Sequence, residues 1–413
     1  MQALSFEQAP PPSVPIRFFL TAPLFLLLAG LLLLVDGEAV MASRWTPAAL
    51  ALTHLMTAGF MLQVMLGALF QLMPVAAGAN LWRPRVLALP VHLLSAIGAV
   101  MLVAAFHHQI AWAYQLAVVA IGCSVLAFVP AGMLALWRTP GTSHSLIALR
   151  IALLAFFFTV FAGATMALAR AGLIDTWWLR FSSSHVALGL AGWGCVLVAA
   201  VGYLVVPMFQ LTPAYPRWFA RSFAPLMALA IGLGMVVSHP TAWLPLIGLV
   251  ALFAGVTLDR QQRRRRAKLD ATFRFWCFAM GCVLLACVGA VLMIFNIGGN
   301  TLPFAVGVLA ILGGFVSVIS GMLYKIVPFI LWLYLQPRVR GVPPMTRMLN
   351  EHWVLWHWRV HVVMIGAALL ATVWWPAVYL AGSLMVVSAA LLGGQLLRVV
   401  SRARTALRLA QPS

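Results

Sequence analysis

Residues 51–75 read ALTHLMTAGFMLQVMLGALFQLMPV, a stretch that contains no Asp, Glu, Lys or Arg. A run of about 20 apolar residues is long enough to cross the ~30 Å hydrocarbon core of a bilayer as an α-helix. The stretch therefore predicts a transmembrane helix, and comparable runs outside it bring the predicted number of spans to about twelve. The runs are 17–36, 49–74, 86–106, 111–137, 145–169, 184–207, 219–238, 243–258, 273–296, 302–333, 354–374 and 377–399.

The composition of the whole chain agrees with this interpretation. Of the 413 residues, 64% are hydrophobic and 8% are charged, whereas a soluble domain carries roughly a quarter charged and about half apolar residues. The composition excludes a water-exposed exterior and predicts an all-α polytopic membrane protein that contacts the lipid bilayer. The net charge is +19, but the arginines lie between apolar runs and form no patch interleaved with aromatic residues, which argues against binding of nucleic acid.

Basic residues are concentrated on alternate connections between the predicted spans. They are Arg83, Arg85, Arg138, Arg217, Arg221, the run RQQRRRRAK at 260–268, Arg338, Arg340, Arg347, Arg398, Arg402, Arg404 and Arg408. Because cytoplasmic loops carry an excess of Lys and Arg, both termini are predicted to be cytoplasmic, in a bacterial inner membrane. The predicted organisation is a cytoplasmic tail at 1–16, one transmembrane domain at 17–400 and a basic cytoplasmic tail at 401–413.

One pattern occurs three times, on the runs at 49–74, 184–207 and 302–333. The copies are Gly67-Ala-Leu-Phe70-Gln-Leu-Met-Pro74, Ala200-Val-Gly-Tyr203-Leu-Val-Val-Pro207 and Gly321-Met-Leu-Tyr324-Lys-Ile-Val-Pro328, and fifteen residues before each proline stands Gly59, Gly192 or Gly313. Small residues let membrane helices approach closely, so such patterns also recur by chance. The interval of four helices nevertheless predicts a pseudo-threefold arrangement of four-helix units.

Histidines are the residues that could carry chemistry inside the predicted bilayer. Ionisable groups in a membrane are costly and are functional candidates by default, and neutral imidazole is a common ligand of metals and of heme iron. His54 and His185 precede the repeated glycine on the second and sixth runs, where the third copy has valines. They are predicted to lie about 3 Å apart in depth, as cofactor ligands or as hydrogen-bonded structural histidines.

The remaining histidines divide between the two predicted faces. His239, His107 and His108 fall on the outer side with His185 and are candidate metal ligands, although His107 and His108 also suit an ordinary solvent-facing turn. Histidines at the cytoplasmic helix starts are expected to be wetted interfacial residues. Among these, His357 and His361 are four residues apart and share a helix face.

Sulfur-containing residues offer a rival metal chemistry. Met61 and Met65 share one face of the second run, and thioethers suit Cu(I). Methionine is also a common gap-filler in apolar packing, which we expect here. Cys277, Cys282 and Cys287 step around their helix and are predicted to be small core residues.

The repeated helices resemble those of subunit I of the heme-copper oxidase superfamily, most of all its cbb-type and nitric-oxide-reductase branch. The stretch His54-Leu-Met-Thr-Ala-Gly59-Phe60, which leads into Gly67-Ala-Leu-Phe70 and Pro74, is similar to the cbb-type helix in which a heme-ligand histidine is followed by Gly-Trp and Gly-Ala-Leu-Tyr. The stretch from His185 through Gly192-Trp193 to Pro207 is similar again. The resemblance implies twelve spans with cytoplasmic ends and a repeat of four helices.

The resemblance also implies roles for individual residues. His54 matches the position of the low-spin heme ligand, and His185 and His239 match positions where the family binds its active-site copper or iron. The sequence departs from the family pattern because the tenth run has no histidine and His239 is followed by Pro240.

These matches imply a non-pumping membrane protein that binds heme b, with copper as a second candidate. Electron transfer or binding of O2 or NO would be its role, with cytochrome c or quinol as electron donor and respiratory-complex subunits as partners. If the protein is an enzyme, it is expected to be an oxidoreductase related to terminal oxidases or nitric oxide reductases. Two alternatives stay open: a heme or copper transporter or chaperone, and a cofactor-free structural subunit.

Overall fold

The computed structural model describes residues 6–140, 143–265 and 270–410, and within these ranges it is helical and without strands. Twelve of its helices are long and apolar enough to cross a membrane, so the predicted all-α polytopic fold is confirmed. They are α1 Ser13–Ala42, α2 Pro47–Ala77, α3 Pro84–His108, α4 Ala111–Arg138, α5 His144–Arg170, α6 Thr176–Gln210, α7 Arg217–Val236, α8 Pro240–Gln262, α9 Ala271–Ile294, α10 Leu302–Leu335, α11 Glu351–Ala371 and α12 Ala377–Ala410.

Local capping residues fix where several of these helices begin and end. The side chains of Thr46, Ser143 and Asp270 accept hydrogen bonds from the first turns of α2, α5 and α9, which satisfies backbone donors that have no partner within the helix. Gly78 ends α2 in the left-handed region, with φ of 68°, a conformation that costs glycine little.

The two terminal helices extend beyond the bounds expected from the sequence. α1 begins at Ser13, inside the predicted tail, and continues past a non-helical Asp36 to Ala42. α12 continues to Ala410, so most of the basic segment after residue 400 is helical. A hydropathy profile identifies only the apolar part of a helix. Arginine is a good helix former, so a helix can continue into a polar segment that the profile does not assign to it.

The structure confirms the repeat through a feature that the sequence did not predict. α2, α6 and α10 each contain a π-helical segment around the repeated glycine, at Leu55–Met61, Ala187–Cys195 and Val308–Val316. π-Helices are rare and occur mostly as short segments at functional sites. Three of them at equivalent positions show that the three helices share one architecture.

The repeated glycines pack on the first helix of their own four-helix unit. A Cβ atom built on Gly59 would lie 2.5 Å from Phe25 of α1, one on Gly192 would lie 2.8 Å from Ala155 of α5, and one on Gly313 would lie 2.6 Å from Cys282 of α9. The predicted period of four helices therefore recurs in the packing. The last and first units meet along α12 and α1, where Gly30 and Gly382 allow a close approach.

The three repeat helices meet at the centre of the bundle. Phe315 of α10 packs against Gly194 of α6, and the π-helical segments of α2 and α10 contact each other. Twelve alternating crossings place both chain ends on one face, together with the connections after α2, α4, α6, α8 and α10. We call this the basic face and the other the opposite face.

Candidate functional site

The repeat helices are open near the opposite face and closed further in. On α10 every residue from 302 to 310 is partly exposed, whereas nearly every residue from 311 to 324 is buried. Nine consecutive residues cover all sides of a helix, so even the sides of α10 that turn toward its neighbours are accessible there. Residues 52–54 of α2 and 188–190 of α6 are partly exposed in the same way. We call these three partly exposed segments together the vestibule.

His54 and His185 meet at the edge of the vestibule. Their ring centres are 6.4 Å apart, and their planes are inclined by 27°. Both side chains are partly exposed. The structure thus brings together the two histidines that the sequence selected as cofactor ligands, from helices that are far apart along the chain.

Backbone carbonyl groups hold both imidazoles in one orientation. His54 Nδ1 donates to the carbonyl oxygen of Leu50 at 2.8 Å, and His185 Nδ1 donates to that of Thr159 at 3.0 Å. Because a carbonyl oxygen only accepts, each Nδ1 carries the hydrogen and each Nε2 keeps its lone pair. Neither Nε2 has a hydrogen-bond partner among the described residues. A histidine whose Nδ1 donates to a carbonyl group while its Nε2 stays available is typical of metal sites.

The surroundings of the two rings differ. The ring of Phe106 lies 4.9 Å from that of His54, while His185 lies against Gly163, where a Cβ atom would stand 3.0 Å from its Cε1. Arg170 extends over Phe106, with its guanidinium carbon 5.7 Å from the ring centre. It is exposed and makes no ion pair within the part of the chain that the structure describes, so a positive charge stands at the rim of the site.

The donor set fits a metal centre that takes two nitrogen ligands from the protein. Two imidazoles that share one ion at about 2 Å from each nitrogen have ring centres roughly 6 Å apart, close to the observed separation. No group of three or more His, Cys, Asp or Glu residues suited to a metal ion occurs among the described residues. A heme iron fits this arrangement better than bare copper does, because the porphyrin supplies the remaining ligands.

The other predicted metal ligands occupy separate places. His107 Nδ1 lies 3.1 Å from a carboxylate oxygen of Asp36, and its ring contacts that of His108 at 4.5 Å. His239 is on an exposed turn at the start of α8, where its Nδ1 bonds the hydroxyl of Thr241 at 2.7 Å. None of these residues forms a three-ligand cluster with His185 in the described structure.

Most of the sulfur-containing residues considered above are packed in the core. Met61 and Met65 are 2% and 4% exposed, and Cys282 and Cys287 are also buried, as expected for packing residues. Cys277 is only partly buried and donates to the side-chain oxygen of Gln261. Thioethers that are closed off in this way offer no open route for a transported copper ion.

Sequence reasoning assigned the wrong surroundings to a second pair of histidines. His357 and His361 of α11 are 0% exposed, so the expectation that they are wetted interfacial residues is wrong. They form hydrogen bonds with Tyr324 and Ser317 of α10 and with Ser388 of α12, and we call these five residues the buried histidine cluster. Their i, i+4 spacing on one helix face was the available signal.

Comparison with known proteins gives no further guide to function, since no protein-family model and no curated protein matches the chain.

Proposed function

We propose that the protein is a heme b-binding integral membrane protein of the bacterial inner membrane, with His54 and His185 as the protein ligands of the heme iron. The observation that carries this proposal is the pairing of two imidazoles whose Nδ1 atoms are tied to carbonyl groups and whose Nε2 atoms are free. The resemblance of the His54 helix to the cbb-type heme-ligand helix supports it independently.

Electron transfer is the role that this geometry favours. A bound heme would supply one-electron exchange at its iron, and its potential would depend on its axial ligands. If both histidines held the iron, binding of O2 or NO would be disfavoured, which is why we propose electron transfer and not gas binding. The chain itself orients the two nitrogens, and Arg170 provides a cation for the acidic side groups of heme. Cytochrome c or quinol is the proposed electron donor, and respiratory-complex subunits are proposed partners.

The test is the cofactor content of the protein purified from membranes. We expect a Soret band, a pyridine hemochrome spectrum of heme b and about one iron per chain. His54→Ala and His185→Ala should each lose most of the heme, because each removes one of two ligands. His239→Ala is the matched control and should retain it, since His239 lies on an exposed turn.

Three results would contradict the proposal. The first is a wild-type protein without a Soret band or bound iron. The second is full heme content in both ligand variants. The third is copper without heme, which would favour a copper carrier, as would substoichiometric metal that exchanges readily.

A further inference from the structure

The buried histidine cluster lies in the interior of the bundle, between the vestibule and the basic face. His357 and His361 are 0% exposed, Tyr324 is 2% exposed and Ser388 is 3% exposed. Polar groups withdrawn from water are costly unless they are hydrogen-bonded, and ionisable groups within a membrane are commonly functional. The proposed heme site does not use these residues, so their burial calls for a separate explanation.

His357 has a hydroxyl group on each side of its ring. Its Nδ1 lies 2.8 Å from Tyr324 Oη, and its Nε2 lies 2.8 Å from Ser388 Oγ. A hydroxyl group both donates and accepts, and a neutral imidazole carries its hydrogen on either nitrogen. Both hydrogen bonds can therefore reverse direction when the ring changes tautomer. His54 and His185 lack this freedom, because their Nδ1 partners are carbonyl groups.

A second imidazole continues the cluster. The ring centres of His357 and His361 are 5.9 Å apart, and His361 Nε2 lies 2.8 Å from Ser317 Oγ. The Ser317 hydroxyl lies 3.1 Å from the carbonyl oxygen of Leu312, within the π-helical segment of α10. Nδ1 of His361 is buried without a hydrogen-bond partner. The cluster thus runs from Tyr324 toward the centre of the bundle.

The Tyr324 end of the cluster lies close to the basic face. The next residue, Lys325, forms an ion pair with Asp270, the N-cap of α9, at 3.0 Å, and both side chains are 14% exposed. Gly321, one turn from Tyr324, packs directly on Phe275 and on the carbonyl oxygen of Thr272 in the first turns of α9. The ring of Tyr324 lies 6.4 Å from that of Phe275 in α9, so this tyrosine packs beside the first turns of α9, near the partly exposed ion pair.

We propose that Tyr324 and His357 form a proton relay between water at the basic face and the middle of the bundle. A hydronium ion gives a proton to Tyr324 Oη while the original hydroxyl hydrogen moves to His357 Nδ1. The hydronium ion becomes water, the tyrosine hydroxyl is restored, and His357 becomes an imidazolium that donates from Nε2 to Ser388. The reverse step returns the proton to water. The relay goes beyond the proposed heme site and needs no cofactor.

A purely structural cluster makes a different prediction. If the hydrogen bonds only hold α10, α11 and α12 together, water reaches His357 when the helices separate locally. Hydrogen exchange at the ring would then be slowed, relative to a free imidazole, by the same factor as the backbone amides of α11 around it are slowed relative to an unstructured peptide. We call this factor the protection factor. A relay exchanges the ring without opening the helices, so the two protection factors differ.

The experiment compares these two protection factors in the intact protein. Protein with 15N-labelled histidine and 15N-labelled backbone is placed in lipid bilayers and transferred to D2O, and deuterium uptake is followed by solid-state NMR. We expect the protection factor of the His357 ring to be at least about tenfold lower than those of the backbone amides of residues 356–358. Equal protection factors in the wild-type protein would overturn the proposal, whether or not heme is bound.

Variants test whether the proton reaches His357 through the Tyr324 hydroxyl. Tyr324→Phe removes the hydroxyl while keeping the ring, and it should slow exchange at His357 at least about tenfold. Tyr334→Phe, on the same helix but outside the cluster, should leave the rate unchanged. Exchange of the His357 ring in Tyr324→Phe that is as fast as in the wild type, while the backbone amides of residues 356–358 keep their protection, would contradict the relay. If Tyr324→Phe does not fold or loses the amide protection, the comparison of ring and amide protection factors in the wild type decides alone.

Discussion

The partner of Nδ1 distinguishes His357 from His54 and His185. A carbonyl group fixes the tautomer at His54 and His185 and leaves Nε2 available to a metal. A hydroxyl group at His357 leaves both tautomers accessible. The same side chain is therefore suited to ligation on one side of the membrane and to proton transfer on the other.

Sequence reasoning could reach only part of the His54–His185 arrangement. The repeat placed both residues at similar depths on equivalent helices, and their rings do meet. His54 bonds a carbonyl four residues earlier on its own helix, but His185 bonds Thr159 of α5. The second contact depends on how α5 packs against α6, which no local pattern encodes.

Substituting Gly163 tests how tightly His185 is positioned. In Gly163→Ala the new methyl group would stand 3.0 Å from His185 Cε1 and 3.4 Å from its Nδ1, so the ring must move by a few tenths of an ångström. We expect heme affinity to fall about tenfold, or about 1.4 kcal/mol, with the ligand itself intact. Gly122→Ala, where the methyl group meets open space, is the control. Equal heme retention in both variants would show that Gly163 does not position the imidazole.

At the scale of elements, the π-helical segments account for most of what the sequence did not show. The glycines and prolines of the repeat were visible, but the segments at Leu55–Met61, Ala187–Cys195 and Val308–Val316 were not. Their composition is ordinary for a membrane helix. A π-helical turn holds more residues than an α-helical turn, so each segment rotates the end of its helix near the opposite face relative to the rest.

Substitution of the repeated glycines should destabilise the protein, because an added methyl group would collide with atoms close to the backbone of the neighbouring helix. In Gly313→Ala the new methyl group would lie 2.6 Å from Cys282 Cβ and 2.8 Å from its Sγ. Overpacking of this kind typically costs about 1–3 kcal/mol. Gly307→Ala on the same helix meets open space and should be neutral or slightly stabilising. Thermal unfolding in one detergent compares the two variants, and equal melting temperatures would contradict the close contact.

The start of α9 combines a helix cap with an ion pair. Asp270 accepts from Phe273 N and pairs with Lys325. Asp270→Ala removes both interactions, whereas Asp270→Asn keeps a capping oxygen. We expect both variants to be destabilised, the alanine variant by about 1 kcal/mol more, which is the usual contribution of a cap. Denaturation of the purified variants measures the difference, and identical stabilities would show that the cap contributes nothing.

At the scale of the whole molecule, hydropathy and charge predicted the number of spans but not which polar residues are buried. The expectation for His357 and His361 failed because it used their nearness to arginines along the sequence. Burial depends on the direction in which each side chain points. Arg359 and these two histidines share a helix but not a face, since Arg359 is exposed and the histidines turn toward α10 and α12.

The distribution of arginines predicts how the molecule sits in the membrane. Arginines are far more numerous in and beside the connections of the basic face than at the opposite face, which has Arg44, Arg170 and Arg180, so the basic face should be cytoplasmic. Single cysteines at exposed loop positions can report this in the full-length chain, at Asn300 on the opposite face and at Arg340 on the basic face. The native cysteines all lie within the spans, so the wild type serves as the unlabelled control.

An impermeant thiol reagent then distinguishes the two orientations. Asn300→Cys should be labelled in intact spheroplasts, because the arginine distribution predicts that this loop faces the periplasm. Arg340→Cys should be labelled only after the membrane is broken, because the reagent has to reach the cytoplasm. The reverse pattern would place the histidine pair near the cytoplasm and the Tyr324 end of the relay near the periplasm. It would leave the geometry of both sites intact but would exclude a periplasmic electron donor for the heme.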